Sequence, residues 1–182
     1  MTAYIALLKG INIAGHKRVA MADLRALVTR VGLADARTLL QSGNLVFRGD
    51  GRTPAQLERQ LETETERRLG VETAFFVRTA REWGTVIARN PFAAAARRDP
   101  GHLVVMALRE APAARAVTAL RAAIPGHETV RAAGRCLYVV YADGIGRSKL
   151  THTLIEKTLG TLATGRNWNT VRRLADLAAQ VE

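Results

Sequence analysis

HLVVMAL, His102 to Leu108, reads as a second copy of YIALL, Tyr4 to Leu8. Each is an unbroken apolar run of strand length, expected of a strand covered on a face and flanked by neighbours. If the two runs head equivalent units, the elements after each should repeat. After the first, Met21, Leu24, Leu27, Val28 and Val31 mark one face of a helix that Gly32 ends. ARTLLQ and LVFR then form two short strands joined by Ser42-Gly43-Asn44, a hairpin signal. Thr53-Pro54 supplies an N-cap and a first-turn proline to a helix whose buried side carries Leu57, Leu61 and Leu69. TAFFVR, residues 73–78, is the next strand.

A short helix around Trp83, Val86 and Ile87 comes next. Asn90-Pro91 and Asp99-Pro100-Gly101 then bracket a boundary loop. After His102–Leu108, Val117, Leu120 and Ile124 line a helix that stops at Pro125-Gly126. ETVRA alternates like an edge strand, and Gly134 turns the chain into CLYVVY, residues 136–141. Leu150, Leu154, Ile155 and Leu159 give a helix, a short strand falls near Leu162, and Val171, Leu174, Leu177 and Val181 give a last helix. The expected fold class is α+β: duplicated ferredoxin-like (βαββαβ) halves with a C-terminal helical extension. Residues 1–90 form the first half, with a glycine-bounded loop inserted at 10–18. Residues 101–182 form the second half and the final helix.

The chain has 182 residues and is 48% hydrophobic, enough for a packed interior. No segment approaches the ~18 apolar residues of a membrane span. MTAYIALLKG lacks a basic leader and reads as a first strand. The single Cys136 lies in an apolar run and reads as a buried, inert thiol. These features point to a cytoplasmic protein that does not engage a membrane. The net charge of +11 invites an anionic partner. Yet only Lys9, Lys17, Lys149 and Lys157 are lysines. The remaining cations are arginines scattered beside many alanines, a pattern that solvated surface also produces.

The stretch from Leu8 to Gly43 is about nine residues longer than that from Leu108 to Gly134, and the surplus is assigned to GINIAGHKR. Gly10, Gly15 and Lys17 resemble a phosphate-binding P-loop only superficially. His16 separates Gly15 from Lys17, Arg18 stands where a hydroxyl should hold magnesium, and the helix pattern begins too late. Inserted loops on a rigid scaffold often carry function, and Ile11 and Ile13 suggest one that packs down. In a ferredoxin-like topology this loop emerges at the same end as the Ser42–Asn44 turn. Asn12, His16, Lys17, Ser42 and Asn44 therefore become candidate ligand-binding residues, joined by Lys9 at the strand's end.

Two further loops carry similar chemistry. Asp143-Gly144-Ile145-Gly146-Arg147-Ser148-Lys149 combines glycines, a capping serine and cations before a helix, which suits an anion. Gly165-Arg166-Asn167-Trp168-Asn169-Thr170 precedes the last helix, where Trp168 would stack on a ring or join the core. Ser148, Lys149, Arg166, Asn167 and Trp168 complete the candidate set. His16, His102, His127 and His152 have no spacing that suits a metal, and no cofactor is expected. Neither CLYVVY nor Asn44–Phe47 matches the signature of a sheet-face RNA reader.

YIALLKGINIAGHKRVAMADL, QSGNLVF, DGIGRSKL and TGRNWNTV, in that order, resemble the bacterial family called domain of unknown function 1697. The resemblance implies a two-part α+β fold of ferredoxin-like halves and no activity. The residues suggest three functions. The first is binding of an anionic, phosphorylated small molecule or nucleotide through loops 9–18, 41–44, 143–149 and 165–170. The alternatives are a nucleic-acid-binding protein and an interaction module without a ligand. Whether the chain is an enzyme, and its oligomeric state, stay open.

Overall fold

The computed structural model describes residues 1–182 as a mixed α+β protein with two four-stranded antiparallel sheets and seven helices. The first sheet contains β1 (Thr2–Leu8), β2 (Ala34–Thr38), β3 (Asn44–Gly49) and β4 (Phe75–Thr79), in the order β2-β3-β1-β4. The second contains β5 (Leu103–Leu108), β6 (Thr129–Ala133), β7 (Cys136–Val140) and β8 (Ala163–Asn167), in the order β6-β7-β5-β8. The helices are α1 (Met21–Arg30), α2 (Pro54–Leu69), α3 (Ala80–Ala88), α4 (Ala93–Arg98), α5 (Ala114–Ala123), α6 (His152–Leu159) and α7 (Trp168–Ala179). No helix is long and apolar enough to cross a membrane. By packing, the chain divides into Met1–Thr85 with Arg173–Glu182, and Val86–Arg172.

In the first unit, alternate residues of the strands bury against α1 and α2. Tyr4, Ala6, Leu8, Leu45, Phe47, Phe75 and Val77 meet Met21, Leu24, Leu27, Val28, Leu57 and Leu61 in one cluster. Tyr4 and Phe47, opposite each other across β1 and β3, stack with ring centroids 5.7 Å apart. Ile5, Leu7, Val46 and Phe76 point the other way and are also buried. This is why the YIALL run is continuous rather than alternating. Helix α2 begins with a complete capping box, Thr53 with Gln56, and ends at Gly70 in the left-handed region.

The second unit repeats the arrangement. Val104, Met106, Leu108, Leu137 and Val139 pack with Val117, Leu120, Ile155 and Leu159. Leu103, Val105, Ala107, Cys136 and Tyr138 are buried on the opposite face. The segment near Leu162 is strand β8. Residues 90–101 are not wholly a loop: AAAARR forms α4, a polyalanine segment whose helical propensity outweighs its lack of an apolar stripe.

Two further features complete the fold. The end of α7 groups with the first unit, not the second. Leu174, Ala178 and Val181 are buried, and Arg37 donates to Gln180 Oε1 at 2.9 Å. The surplus of the first unit is also divided between two places. Lys9–Ala20 links β1 to α1 where Arg109–Ala113 links β5 to α5, and Leu39–Gly43 links β2 to β3 where Gly134-Arg135 links β6 to β7.

Candidate functional site

The candidate residues fall into two groups, one in each unit. In the first, the 9–20 segment is pinned at both ends and in its middle. Leu8 N donates to Gly43 O at 2.8 Å, Lys9 N to Ala74 O at 3.0 Å, and Thr73 Oγ1 to Lys9 O at 2.7 Å. Ile11 is 1% exposed. Asn12 Nδ2 donates to Val19 O at 3.0 Å and to Gln41 O at 2.7 Å, while its Oδ1 accepts from Val19 N at 2.9 Å. A tight turn, with His16 N on Ile13 O at 3.0 Å, closes the tip.

The backbone between these anchors is unusual. Gly10, Asn12, Ala14, Gly15 and Lys17 all have positive φ. Glycine and asparagine tolerate that region, but Ala14 and Lys17 are held there against side-chain sterics. His16, Lys17 and Arg18 are exposed at the tip. The loop and the Ser42–Asn44 turn do meet, as the topology requires. They meet, however, through groups assigned to ligand. Asn44 is fully buried and donates through Nδ2 to Leu39 O at 2.7 Å and to Ser42 Oγ at 2.9 Å. Asn12 and Asn44 thus hold backbone, and the exposed chemistry of this group is cationic.

In the second unit, Asp143, Gly144, Arg147, Ser148 and Lys149 line a cleft of about 220 Å³ with Pro125, Gly126 and Glu128. Arg147 and Lys149 both line it, and neither forms a hydrogen bond or ion pair. Two loop amides are already satisfied: Gly144 N by Tyr141 O at 3.0 Å and Ser148 N by Ile145 O at 3.2 Å. Anion affinity here would therefore rest mainly on the two cations. Ser148 does not cap the following helix. Thr151 does, accepting from Leu154 N, because α6 starts only at His152. Ser148 Oγ instead accepts from Leu150 N at 3.0 Å and donates in a short bond to Glu128 Oε1. Glu128 Oε2 is buried without a partner.

Two histidine–aspartate pairs flank this loop. His127 Nδ1 lies 2.7 Å from Asp143 Oδ2. The hydrogen bond and charge of Asp143, with Glu128 adding charge, raise His127 above its usual 6.5. His102 Nδ1 lies 2.6 Å from Asp99 Oδ2, and a Cβ at Gly144 would fall 3.9 Å from His102 Nε2. Tyr141 donates to Leu150 O at 3.2 Å, and burial pushes its hydroxyl up to about 12. No group of three or more His, Cys, Asp or Glu is placed to hold a metal ion.

Glu128, His127 and Asp143 were not among the sequence candidates. His127 and Asp143 stand 16 residues apart with no spacing signal, and only the meeting of their two loops reveals the pair. Arg166, Asn167 and Trp168 lie at the β8–α7 junction rather than in a loop, and their side chains serve the fold. Arg166 Nη1 donates to Gly165 O at 2.8 Å and Thr164 Oγ1 at 3.0 Å, and burial draws its guanidinium down to about 10. Asn167 Oδ1 accepts from Thr170 N at 3.0 Å as the N-cap of α7. Trp168 is 5% exposed and joins the interior.

A family model described as "Protein of unknown function (DUF1697)" matches residues 1–138. No curated protein matches the sequence. Among solved structures, a conserved bacterial protein from Streptococcus pneumoniae is similar with a TM-score of 0.75 and 21% identity, covering 97% of this chain and 98% of that one. At that identity the likeness speaks for the fold.

Proposed function

The chain belongs to the DUF1697 family of proteins of unknown function, and on that premise we propose that it binds a small phosphorylated molecule, a nucleotide or a sugar phosphate, in the cleft of residues 141–149. One observation carries the reading: Arg147 and Lys149 line a concave site and neither is held in an ion pair, while the site's carboxylates bond elsewhere, Asp143 to His127 and Glu128 to Ser148. Two unpaired cations on a short loop suit a phosphate, which both can approach at once. Without a nucleophile or metal assigned, the reading is binding rather than catalysis.

The same proposal treats the two units as ferredoxin-like copies. Both run βαββαβ, and the strand order of the first recurs in the second. It also places the protein in the cytoplasm, where the lone Cys136 stays reduced. Lys17 and Arg18, exposed beside His16 at the loop tip, offer a second, more open cationic group on the first unit. The nucleic-acid alternative is weaker, because its stacking residue, Trp168, is buried.

Calorimetry with nucleotides, sugar phosphates and pyrophosphate tests the reading. Binding of at least one, weakened about tenfold or more by Arg147→Ala with Lys149→Ala, supports it. No binding, or affinity indifferent to both substitutions, removes it.

A further inference from the structure

The outer edges of the two sheets are not protected alike. On β4 every outward amide is taken by a carboxylate: Phe75 N by Glu62 Oε1 at 2.9 Å, Val77 N by Glu58 Oε1 at 2.9 Å, and Thr79 N by Glu82 Oε2 at 2.7 Å. On β8, Glu156 Oε1 accepts from Ala163 N at 2.9 Å. On β2 the pairing slips between Ala34 and Arg37, and Asp35 has φ +51°. Capped amides and bulges deny a template to any further strand.

Strand β6 has neither device. It pairs with β7 without a slip from Thr129 to Ala133. Arg121 Nε donates to Val130 O at 3.4 Å, so that carbonyl points away from β7. In an antiparallel ladder the N–H and C=O of one residue face the same side, and alternate residues share that side. Val130 and Ala132 therefore turn both polar groups to the outer edge, where Arg121 holds the Val130 carbonyl and nothing holds the two amides or the Ala132 carbonyl. Thr129, Arg131 and Ala132 are exposed. Alongside runs a groove of about 300 Å³ lined by Arg121, Ile124, Glu128, Thr129, Val130 and Arg131.

We propose that this groove receives an extended acidic peptide, which adds to β6 as a further strand and sets its carboxylates against Arg121 and Arg131. The backbone of Val130 and Ala132 supplies directional bonds, as in other cases of strand addition. Charge selects the occupant: two arginines line the groove against one carboxylate, Glu128, whose Oε1 already accepts from Ser148. Ile124, half-buried beside the edge, offers contact to an apolar side chain of the incoming strand. Arg147 and Lys149 take no part, so this proposal and the phosphate reading fail independently.

The test titrates a blocked peptide of alternating Glu and Val into the isotope-labelled full chain. The expected result is saturable shifts at the amides of Val130 and Ala132, with slowed hydrogen exchange there. Ala132→Pro should weaken binding about tenfold or more, since proline removes an outward donor without breaking a ladder bond. Arg121→Glu with Arg131→Glu, which leaves the backbone intact, should do the same and transfer preference to a Lys–Val peptide. The proposal is overturned if the unaltered chain binds the Lys–Val peptide equally. It is also overturned if the charge-reversed chain keeps its affinity for the Glu–Val peptide. Protection of β6 in a peptide-free dimer would assign the edge to a second copy instead.

Discussion

Asn12 donates its side-chain amide to the Gln41 carbonyl at 2.7 Å, stitching the β1–α1 loop to the β2–β3 turn across 29 residues of sequence. The same side chain bonds both polar groups of Val19. Asn12→Ala leaves three backbone groups to find new partners and places alanine at φ +54°. The expected cost is about 1–3 kcal/mol, read as a lower urea midpoint, with faster hydrogen exchange at Val19. An unchanged midpoint would mean the stitch is dispensable.

Gly43 should be the least replaceable residue of that turn. It has φ +81°, and a Cβ there would lie 2.7 Å from Ile11 Cδ1 and 2.8 Å from Leu8 Cβ. Both neighbours are buried, so neither can swing away. Gly43→Ala combines backbone strain with overpacking and is expected to lose about 2–4 kcal/mol. Gly70→Ala is the control. Its φ is +65° but nothing lies within 4 Å of the added carbon, so only the strain remains, about 1 kcal/mol. Equal losses at the two sites would contradict the crowding at Ile11.

His127 should titrate above its usual 6.5 because Asp143 favours the imidazolium. A raised folded pKa stabilises the protein below the unfolded value, and that stabilisation disappears as pH rises through the folded one. Both side chains are exposed, so solvent screens the pair and the effect on stability is small. The direct measurement is an NMR titration. Asp143→Asn should bring the His127 midpoint back towards 6.5, and a midpoint that ignores this change would show that the pair does not persist in solution.

Much of the architecture could be read locally. YIALL and HLVVMAL declared buried strands, Thr53-Pro54 declared a helix start, and Gly32 sat just past the end of α1. Helix α4 was obscured because AAAARR has propensity but no periodic stripe. The cap of α6 was misplaced by three residues because Ser148 and Thr151 both have hydroxyls, and sequence does not say which one faces an open amide. Asn12 and Asn44 looked like ligand donors for a similar reason, since an amide side chain serves a ligand or a backbone equally well.

The amino-acid order alone settled most of the strands and helices, α4 excepted, because hydrophobic period and capping chemistry act within a few residues. Only the tertiary structure decided which polar groups are spent and which remain. Asn12 is spent on Gln41, Ser148 on Glu128 and Asp143 on His127, while Arg147, Lys149 and the open edge of β6 are left over. The reason is that a hydrogen bond is satisfied by proximity in space, and segments far apart in the chain meet only when the sheet is built.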